Sequence, residues 1–304
     1  MISIITAVHN QLAHNRLYLE SIRRYSSCTN EIIIVDNHST DGSGDFFEKN
    51  GCVVIRNEKN FCYSEAMNQG IAKARHDYLC FLNNDVWVGV NWDRNLIDVM
   101  NEKGLDIVSP MGIERRRTMK ETTLAQRQWN RIGRIRHLKA TEKELLQLVE
   151  KMYGNWEAFC ANFSRENHDV VIDGIVGNCV LARRSAMEKI GFWDPRFHLG
   201  ADWDICLKTL KRARDYRDIQ PIRTVGRAYI HHFLQATLKN RPEPFACTHP
   251  RLDLYDKWDR KEVISLWPFP QEVLDAPVWY RSPLKYLEYK YKKFFLRYDW
   301  GDPY

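Results

Sequence analysis

The amino-acid sequence has no run of apolar residues approaching the roughly 18 that a membrane-spanning helix requires. Its N-terminus lacks the basic segment followed by a long apolar segment that marks a signal peptide, because a strand-like run begins at Ser3. The eight cysteines form no CxxC pair and no closely spaced quartet with histidines, which argues against a zinc module and a disulfide-rich scaffold. These absences predict a cytoplasmic protein with reduced thiols that does not span a membrane.

Charge is abundant but unevenly distributed along the 304 residues, which carry a net charge of +6. The segment from Ile113 to Lys139 contains nine Lys or Arg and two Glu, and the segment from Arg281 to Arg297 contains six Lys or Arg and one Glu. The remainder of the chain is therefore acidic overall. With 44% hydrophobic residues the composition is that of a folded protein. The pattern predicts two basic surfaces on an otherwise acidic globular body.

The first hundred residues alternate short apolar runs with amphipathic helical patterns, the runs being SIITAV, EIIIVD, CVVIRN and DYLCFLNND. This alternation predicts βαβαβαβ, that is, an α/β fold with a mostly parallel central sheet flanked by helices. Ligand sites in such sheets lie beyond the carboxyl ends of the strands. Polar groups follow all four runs, at His9-Asn10, Asp36-Asn37, Asn57 to Asn60 and Asn83 to Asp85. Turns and helix caps favour the same residue types, which is the alternative for any one of them.

The pattern also predicts how the chain is divided. Residues 1–110 carry the alternation, residues 111–169 read as a basic, helical insertion, residues 170–240 resume the strand pattern, and residues 241–304 form a C-terminal extension. Apolar residues spaced for one face predict a helix from Thr141 to Tyr153. Residues 283–298 predict a basic amphipathic helix, which could lie in an anionic membrane surface or pack on the rest of the protein.

Four motifs, in this order and spacing, carry a specific resemblance: SIITAVHN, IIIVDNHSTDGS, NFCYSEAMNQGIAKARHDYLCFLNNDVWV and GNCVLARRSAMEKIGFWDPRFHLGADWDICLKTLKRA. Over roughly residues 1 to 235 the chain resembles family 2 glycosyltransferases of the GT-A, or nucleotide-diphospho-sugar transferase, fold. It looks most like the rhamnosyltransferase-like members of bacterial surface-polysaccharide assembly. The resemblance implies metal-dependent, inverting transfer from a UDP- or dTDP-sugar to a glycan or lipid-linked glycan, peripherally on the inner face of the cell membrane.

For the donor, the resemblance implies contacts from Thr6, Asp36, Asn60, Asn68, Asn84 and Asp85. Asp36 would accept hydrogen bonds from the base or ribose; its alternative role is to cap the next helix, for which Ser39 and Asp41 are better placed. FLNND carries Asn83 where relatives often have the first carboxylate of Asp-x-Asp. Asp85 is therefore expected to hold Mn²⁺ or Mg²⁺, with the donor phosphates supplying further oxygen ligands.

Two adjacent histidines, His231 and His232, stand where similar enzymes place a histidine that reaches the metal or the diphosphate. Adjacent side chains on a strand point to opposite faces, so only one of them can do so. We expect His231 to be the metal ligand, and a hydrogen-bonded core histidine is the alternative for either.

For catalysis, GADWDICLK resembles the Glu-Asp motif of the family, with Ala201 in place of the glutamate. The resemblance implies that Asp202 is the general base that deprotonates the acceptor hydroxyl; capping the following helix is its alternative role. Asp204 is the competing carboxylate. Aromatic faces can stack on sugar rings, so acceptor contacts are expected from Trp193, Trp203 and Asp204, although core packing would explain both tryptophans as well.

Other functions compete with this assignment. The Arg-rich stretch from Arg115 to Lys139 suits an anionic glycan acceptor, a nucleic acid or a solvated loop. Transfer to modified DNA bases ranks lower, because no DNA-reading motif is present. A nucleotidyltransferase would need a glycine-rich phosphate loop after the first strand, which is missing. A sugar-binding protein of the same fold without activity is compatible with Ala201 but is opposed by the retained carboxylates Asp36, Asp85 and Asp202.

Overall fold

The predicted alternation is present in the computed structural model of the chain, which describes residues 1–133, 136–198, 200–234, 245–246, 248–252 and 254–266. β-branched and aromatic residues dominate the strands, as expected for residues that pack well on a pleated surface. The βαβαβαβ prediction is confirmed by β1 (Ile2–Val8), α1 (Leu12–Tyr25), β2 (Asn30–Asn37), α2 (Ser43–Lys49), β3 (Val53–Asn57), α3 (Tyr63–Lys73) and β4 (Tyr78–Leu82).

The remainder of the first half and the insertion comprise β5 (Val86–Val88), α4 (Trp92–Lys103), β6 (Ile107–Met111), α5 (Met119–Ile132), a 3₁₀ turn at Arg136–Lys139, α6 (Glu142–Tyr153) and α7 (Trp156–Glu166). The predicted helix is confirmed as α6, which begins with a capping box between Thr141 and Glu144. Much of the Arg-rich stretch is helical as well, because it forms α5 and is not simply a solvated loop.

The strand pattern resumes with β7 (Val171–Asp173), β8 (Cys179–Arg183), α8 (Arg184–Ile190), α9 (Ala201–Asp215) and β9 (Arg223–His232). The chain divides into two compact units, Met1–Arg251 and Leu252–Tyr304. The described part of the second unit contains two short helices, α10 (Leu254–Lys257) and α11 (Arg260–Leu266). The predicted amphipathic helix at 283–298 lies outside the described residues. Among those that are described, no helix has the length and apolar character needed to cross a membrane.

Within the described residues, nine strands form one sheet in the order β3-β2-β1-β4-β8-β6-β9-β5, and β7 pairs with β9. The four strands of the alternating half are parallel to one another, β8 is antiparallel to both β4 and β6, and β6 is parallel to β9. The carboxyl ends of β1, β2, β4 and β9 therefore lie at one edge of the sheet, together with the start of β8. This edge is called the C-edge below.

The core lies on both faces of this sheet. β1, β4 and β9 are almost fully buried, and the insertion adds the inner faces of α5 and α6. Burying each large apolar side chain stabilises the fold by roughly 1.5–3 kcal/mol. The largest fully buried side chains include Trp92, Trp129 and Trp193. Trp129 attaches α5 to the sheet, because its ring centroid lies 4.5 Å from that of His231 and 5.9 Å from that of Phe233.

Candidate active site

The C-edge brings polar residues from three separate parts of the chain into contact. Asp85 follows β4, Asn178 precedes β8, and His232 ends β9. The backbone N–H of Asn83 donates to the Asn178 carbonyl at 2.9 Å, and the N–H of Phe233 donates to the Asp85 carbonyl at 2.9 Å. These backbone hydrogen bonds place the segments around Asn178 and Phe233 beside Asp85, independently of any side chain. Ligand sites in α/β sheets lie at such carboxyl ends of strands.

The expectation that His231 faces Asp85 is wrong, because the structure places His232 there. Nε2 of His232 lies 3.0 Å from Oδ1 of Asp85. His231 points to the opposite face, where its Nδ1 lies 2.9 Å from the Tyr153 hydroxyl and its ring packs against Trp129. The physical reason is the alternation of side chains along β9, and His231 is the core histidine of the pair.

Glu114 is a member of this cluster that sequence reasoning missed. Its Oε1 pairs with Nδ1 of His232 and accepts from the Asn178 amide at 3.1 Å. Burial lowers the pKa of His232, but the charges of Asp85 and Glu114 outweigh it and raise that pKa to about 10. A signal was available, since Glu114 closely follows the apolar run of β6 in the same way that Asp85 follows β4.

The donor chemistry of this cluster fits a divalent cation. Oε2 of Glu114 is buried and has no hydrogen-bond partner among the described residues, and the same holds for Oδ1 of Asn178. Buried oxygens without partners are costly, and a cation or an ordered water would satisfy them. No group of three or more His, Cys, Asp or Glu in the described chain is arranged as a complete metal site. A cation bound at this cluster would have to take further ligands from a bound substrate.

Asp202 stands at the start of α9, at the other side of the Asn178 segment. It lies so close to Gly177 that a Cβ on that glycine would be 2.3 Å from Oδ2 of Asp202. Burial raises the pKa of the Asp202 carboxyl, and the backbone N–H groups of Asp202 and Trp203 lower it by a smaller amount. A carboxylate with a raised pKa at an edge lined by polar groups is suited to accept a proton.

The close approach of Gly177 makes a testable prediction. Gly177→Ala is expected to displace the Asp202 carboxylate and to lower the transfer rate roughly 10- to 100-fold. Displacing a positioned catalytic group by about 1 Å lowers the rate by a factor of this size. Donor affinity, measured by calorimetry, should change little. In a double-mutant cycle, adding Gly177→Ala to Asp202→Asn should lower the transfer rate no further. A full additional loss in the double variant would show that Gly177 does not act through Asp202.

Of the predicted acceptor residues, Asp204 is fully buried and pairs with Lys208 at 3.3 Å, so it is committed to an ion pair within α9. Trp203 is partly buried near the helix start.

Trp193 is 1% exposed and packs edge-on against Tyr63, with 5.2 Å between ring centroids. The Trp193 indole nitrogen and the Tyr63 hydroxyl are buried and have no hydrogen-bond partner among the described residues. Tyr63, whose pKa is raised by burial and by the Asp202 charge, was not predicted.

Asp36 sits at the C-edge end of β2 and is 4% exposed. Its Oδ1 accepts from the backbone N–H of Ser39 at 3.0 Å, and its Oδ2 lies 3.9 Å from the Arg56 guanidinium. Asp36 does not cap α2, whose N-cap is Gly42. A Cβ at Gly44 would lie 2.2 Å from Oδ2 of Asp36, so a glycine is required where α2 passes this carboxylate.

The other predicted donor residues fall into two groups. Asn60 and Asn84 are nearly buried at the C-edge, and the Asn84 amide donates to Oδ1 of Asn15 on α1 at 2.7 Å. Asn68 instead holds the backbone of Trp193, donating to its carbonyl at 2.8 Å and accepting from its N–H at 3.2 Å. Thr6 is fully buried, and its hydroxyl pairs with that of Tyr18. The positions of Asn68 and Thr6 give their predicted donor contacts no support.

Comparison with known proteins identifies the family of the chain. A family model described as glycosyl transferase family 2 matches residues 3–191. EpsH of Bacillus subtilis is 35% identical over 92 residues, which are 29% of this chain and 26% of that protein. The glycosyltransferase GlyG of Streptococcus pneumoniae is 28% identical over 113 residues, which are 36% of this chain and 38% of that protein. The matches therefore span well under half the length of these relatives.

A solved structure of GalNAc-T7 with UDP, GalNAc and Mn²⁺ aligns with a TM-score of 0.52 and 15% sequence identity, over 76% of this chain and 43% of that one. At this identity the likeness concerns the fold alone. The parallel half-sheet, the polar C-edge and this neighbour identify the GT-A fold expected from the motifs. Because the family model covers well over half of its residues, the chain belongs to glycosyl transferase family 2.

Proposed function

We propose that this protein is an inverting, divalent-metal-dependent transferase that moves a sugar from a nucleotide-diphosphate donor to an acceptor hydroxyl. The observation that carries the proposal is the contact of His232 with Asp85 and Glu114 at the C-edge, where Glu114 also accepts from Asn178 and the preceding Gly177 lies against Asp202. Oε2 of Glu114 and Oδ1 of Asn178 are buried there and have no partner within the described chain. Such atoms are expected where a polar ligand completes the hydrogen bonding. A sugar diphosphate with its cation has the required polarity.

Asp85 and His232 would hold Mn²⁺ or Mg²⁺, with the cation replacing the proton on Nε2 of His232 and Glu114 orienting the imidazole from its other nitrogen. The cation, when bound, neutralises negative charge on the departing diphosphate. Asp202 accepts the proton of the acceptor hydroxyl as that oxygen attacks the anomeric carbon, which inverts its configuration. Gly177 leaves room for the carboxylate, and the buried Tyr63 hydroxyl lies within range of its charge.

On the donor side, Asp36 accepts hydrogen bonds from the nucleobase or ribose, and Asn60, Asn84 and Asp85 line the same edge. Asp36 is held in place by Ser39 and Arg56, so the carboxylate is oriented before the ligand arrives. A UDP- or dTDP-sugar is the proposed donor. The acceptor is a glycan or lipid-linked glycan of a surface polysaccharide, and an anionic membrane surface is the proposed partner that presents it.

The donor assignment is tested by thermal unfolding of the full chain with nucleotides and nucleotide sugars. GalNAc-T7 was solved with UDP and Mn²⁺, so UDP, UDP-sugars and dTDP-sugars are compared with and without Mn²⁺. A donor at about 100 times its Kd should raise Tm by about 5 °C, because it binds only the native state. The increase should require Mn²⁺. Failure of every nucleotide to raise Tm would refute the proposal, whereas donor binding without any transfer would favour a sugar-binding protein of this fold.

A further inference from the structure

The outward face of α5 is a stripe of exposed basic side chains around a leucine. Lys120, Leu124, Arg127 and Arg131 follow one another at spacings of four, three and four residues, and a helix with about 3.6 residues per turn places them on one side. All four are exposed, and Leu124 keeps 55% of its surface in solvent. These four residues are called the α5 stripe below.

The charge of the α5 stripe is not neutralised locally. Glu121 is the one acidic residue of α5, and it pairs with Arg117 at 3.1 Å. Lys120, Arg127 and Arg131 form no ion pair with any residue in the described ranges. Three cations therefore face solvent together, and they belong to one of the two strongly basic segments of the chain. A negatively charged partner is the complement of this surface.

The opposite face of α5 anchors the stripe to the fold. Thr122, Ala125 and Trp129 are buried, and Trp129 packs against His231 and Phe233, which flank His232 at the end of β9. The Thr118 side chain caps the helix by accepting from the N–H of Glu121 at 3.2 Å. The stripe is thus held on a helix that rests directly on the strand of the proposed metal ligand, so a partner bound there would be near the C-edge.

An exposed leucine among the cations distinguishes between anionic partners. Met119, which begins α5, is also 38% exposed. At a membrane interface, basic side chains reach the phosphate headgroups while neighbouring apolar side chains enter the acyl boundary. A nucleic acid gains its affinity from phosphate contacts and base stacking, and an exposed leucine contributes to neither. The composition of the stripe favours a lipid surface.

We propose that the α5 stripe docks the protein on an anionic phospholipid membrane. The inference rests on the proposed function for the identity of the partner, and it assigns the contact with that partner to α5. Each basic side chain near an anionic bilayer strengthens partitioning on the order of fivefold. Removal of three should therefore weaken it by about 100-fold, and binding should fall as salt screens the charges.

The test is co-sedimentation of the full chain with vesicles of phosphatidylcholine containing phosphatidylglycerol, and with vesicles of phosphatidylcholine alone. The variant is Lys120→Glu/Arg127→Glu/Arg131→Glu. Its matched control is Lys49→Glu/Lys73→Glu/Lys103→Glu, which changes the net charge equally at three other exposed lysines. Leu124→Gln tests the apolar component alone, with an expected loss of several-fold. Circular dichroism and UDP binding in the presence of Mn²⁺ are measured on every variant.

The proposal requires that the wild type binds the anionic vesicles, that the α5 variant loses at least about tenfold in partitioning, and that the control loses much less. Equal losses of partitioning in the two triple variants would attribute vesicle binding to net charge alone and overturn the proposal. Unchanged vesicle binding by the α5 variant would assign the membrane contact elsewhere. Duplex DNA binding is measured on the same variants, and its loss in the α5 variant with vesicle binding retained would overturn the proposal in favour of a nucleic acid. Because UDP binding is read separately, failure of docking is distinguishable from failure of the transferase assignment.

Discussion

Asp202→Asn is expected to lower kcat for sugar transfer by about 100- to 10,000-fold, because the substitution removes the proton acceptor and keeps the size of the side chain. The asparagine fits the same space against Gly177, so the geometry of the C-edge is retained. The affinity for the donor that gives the largest thermal shift should be unchanged by calorimetry. Wild-type kcat in this variant would remove Asp202 as the base, and loss of donor binding would reassign it to the donor site.

The pH dependence provides an independent check on the same residue. Burial raises the pKa of Asp202 above its ordinary value of 3.8. A general base acts only when ionised, so kcat/KM of the wild type should fall as the pH drops through this raised pKa, and Asp202→Asn should lack that limb.

The same pKa has a consequence for stability. A carboxyl group with a raised pKa in the folded state favours its protonated form there, so stability declines as the pH rises from the unfolded pKa through the folded one. At neutral pH the ionised Asp202 therefore costs stability. The asparagine variant should have a Tm at least as high as the wild type, and a clearly lower Tm would indicate a structural role in place of a catalytic one.

Asp85→Ala is expected to abolish the part of nucleotide binding that depends on Mn²⁺, and to lower transfer by at least about 100-fold, because several kcal/mol of charge stabilisation at the diphosphate is lost. The measurement is calorimetry with UDP, with and without Mn²⁺, followed by a transfer assay. Asp85→Asn, which keeps the size and one oxygen, should show a smaller loss. Retention of full Mn²⁺-dependent binding by Asp85→Ala would show that the metal site lies elsewhere.

The two neighbouring histidines supply a matched control for this site. His232→Phe should weaken Mn²⁺-dependent UDP binding by at least about tenfold, because a nitrogen ligand is lost beside Asp85. His231→Phe keeps an aromatic ring against Trp129 and loses one hydrogen bond to Tyr153, so UDP binding should be unchanged. Equal effects of the two substitutions would contradict the assignment of His232 to the metal.

The choice between these histidines could not be made from the sequence for a physical reason. An amphipathic strand reveals its faces by alternating apolar and polar residues, but β9 is buried on both faces almost from end to end. The ladder between β6 and β9 also has an irregularity between Pro110 and Met111. No periodicity therefore marks which histidine points towards Asp85, and only the packed sheet decides it.

The bounds of α5 within the predicted helical insertion were not predicted, because its buried side is small and mixed in character. Thr122, Ala125 and Trp129 face the core, and the rest of the helix is polar or basic. Apolar residues are few in this segment and charged or polar ones many, so it reads as a solvated stretch. Tertiary packing of one tryptophan against β9 makes it a helix with a defined outward face, and the docking proposal depends on that face.

The local sequence pattern was sufficient to predict the parallel half of the sheet and α6, because these elements depend on the periodicity of apolar residues. It was also sufficient to place Asp36 and Asp85 at strand ends, because parallel strands end at one edge of a sheet. Glu114, Gly177 and Tyr63 joined the candidate site only when distant segments packed together. Glu114 contacts His232, Gly177 contacts Asp202, and Tyr63 contacts Trp193 across more than twenty residues of chain in each case. The position of Glu114 after β6 is visible in the sequence, but none of these contacts has a local signature, so the contacts are decided by how the sheet and its helices assemble.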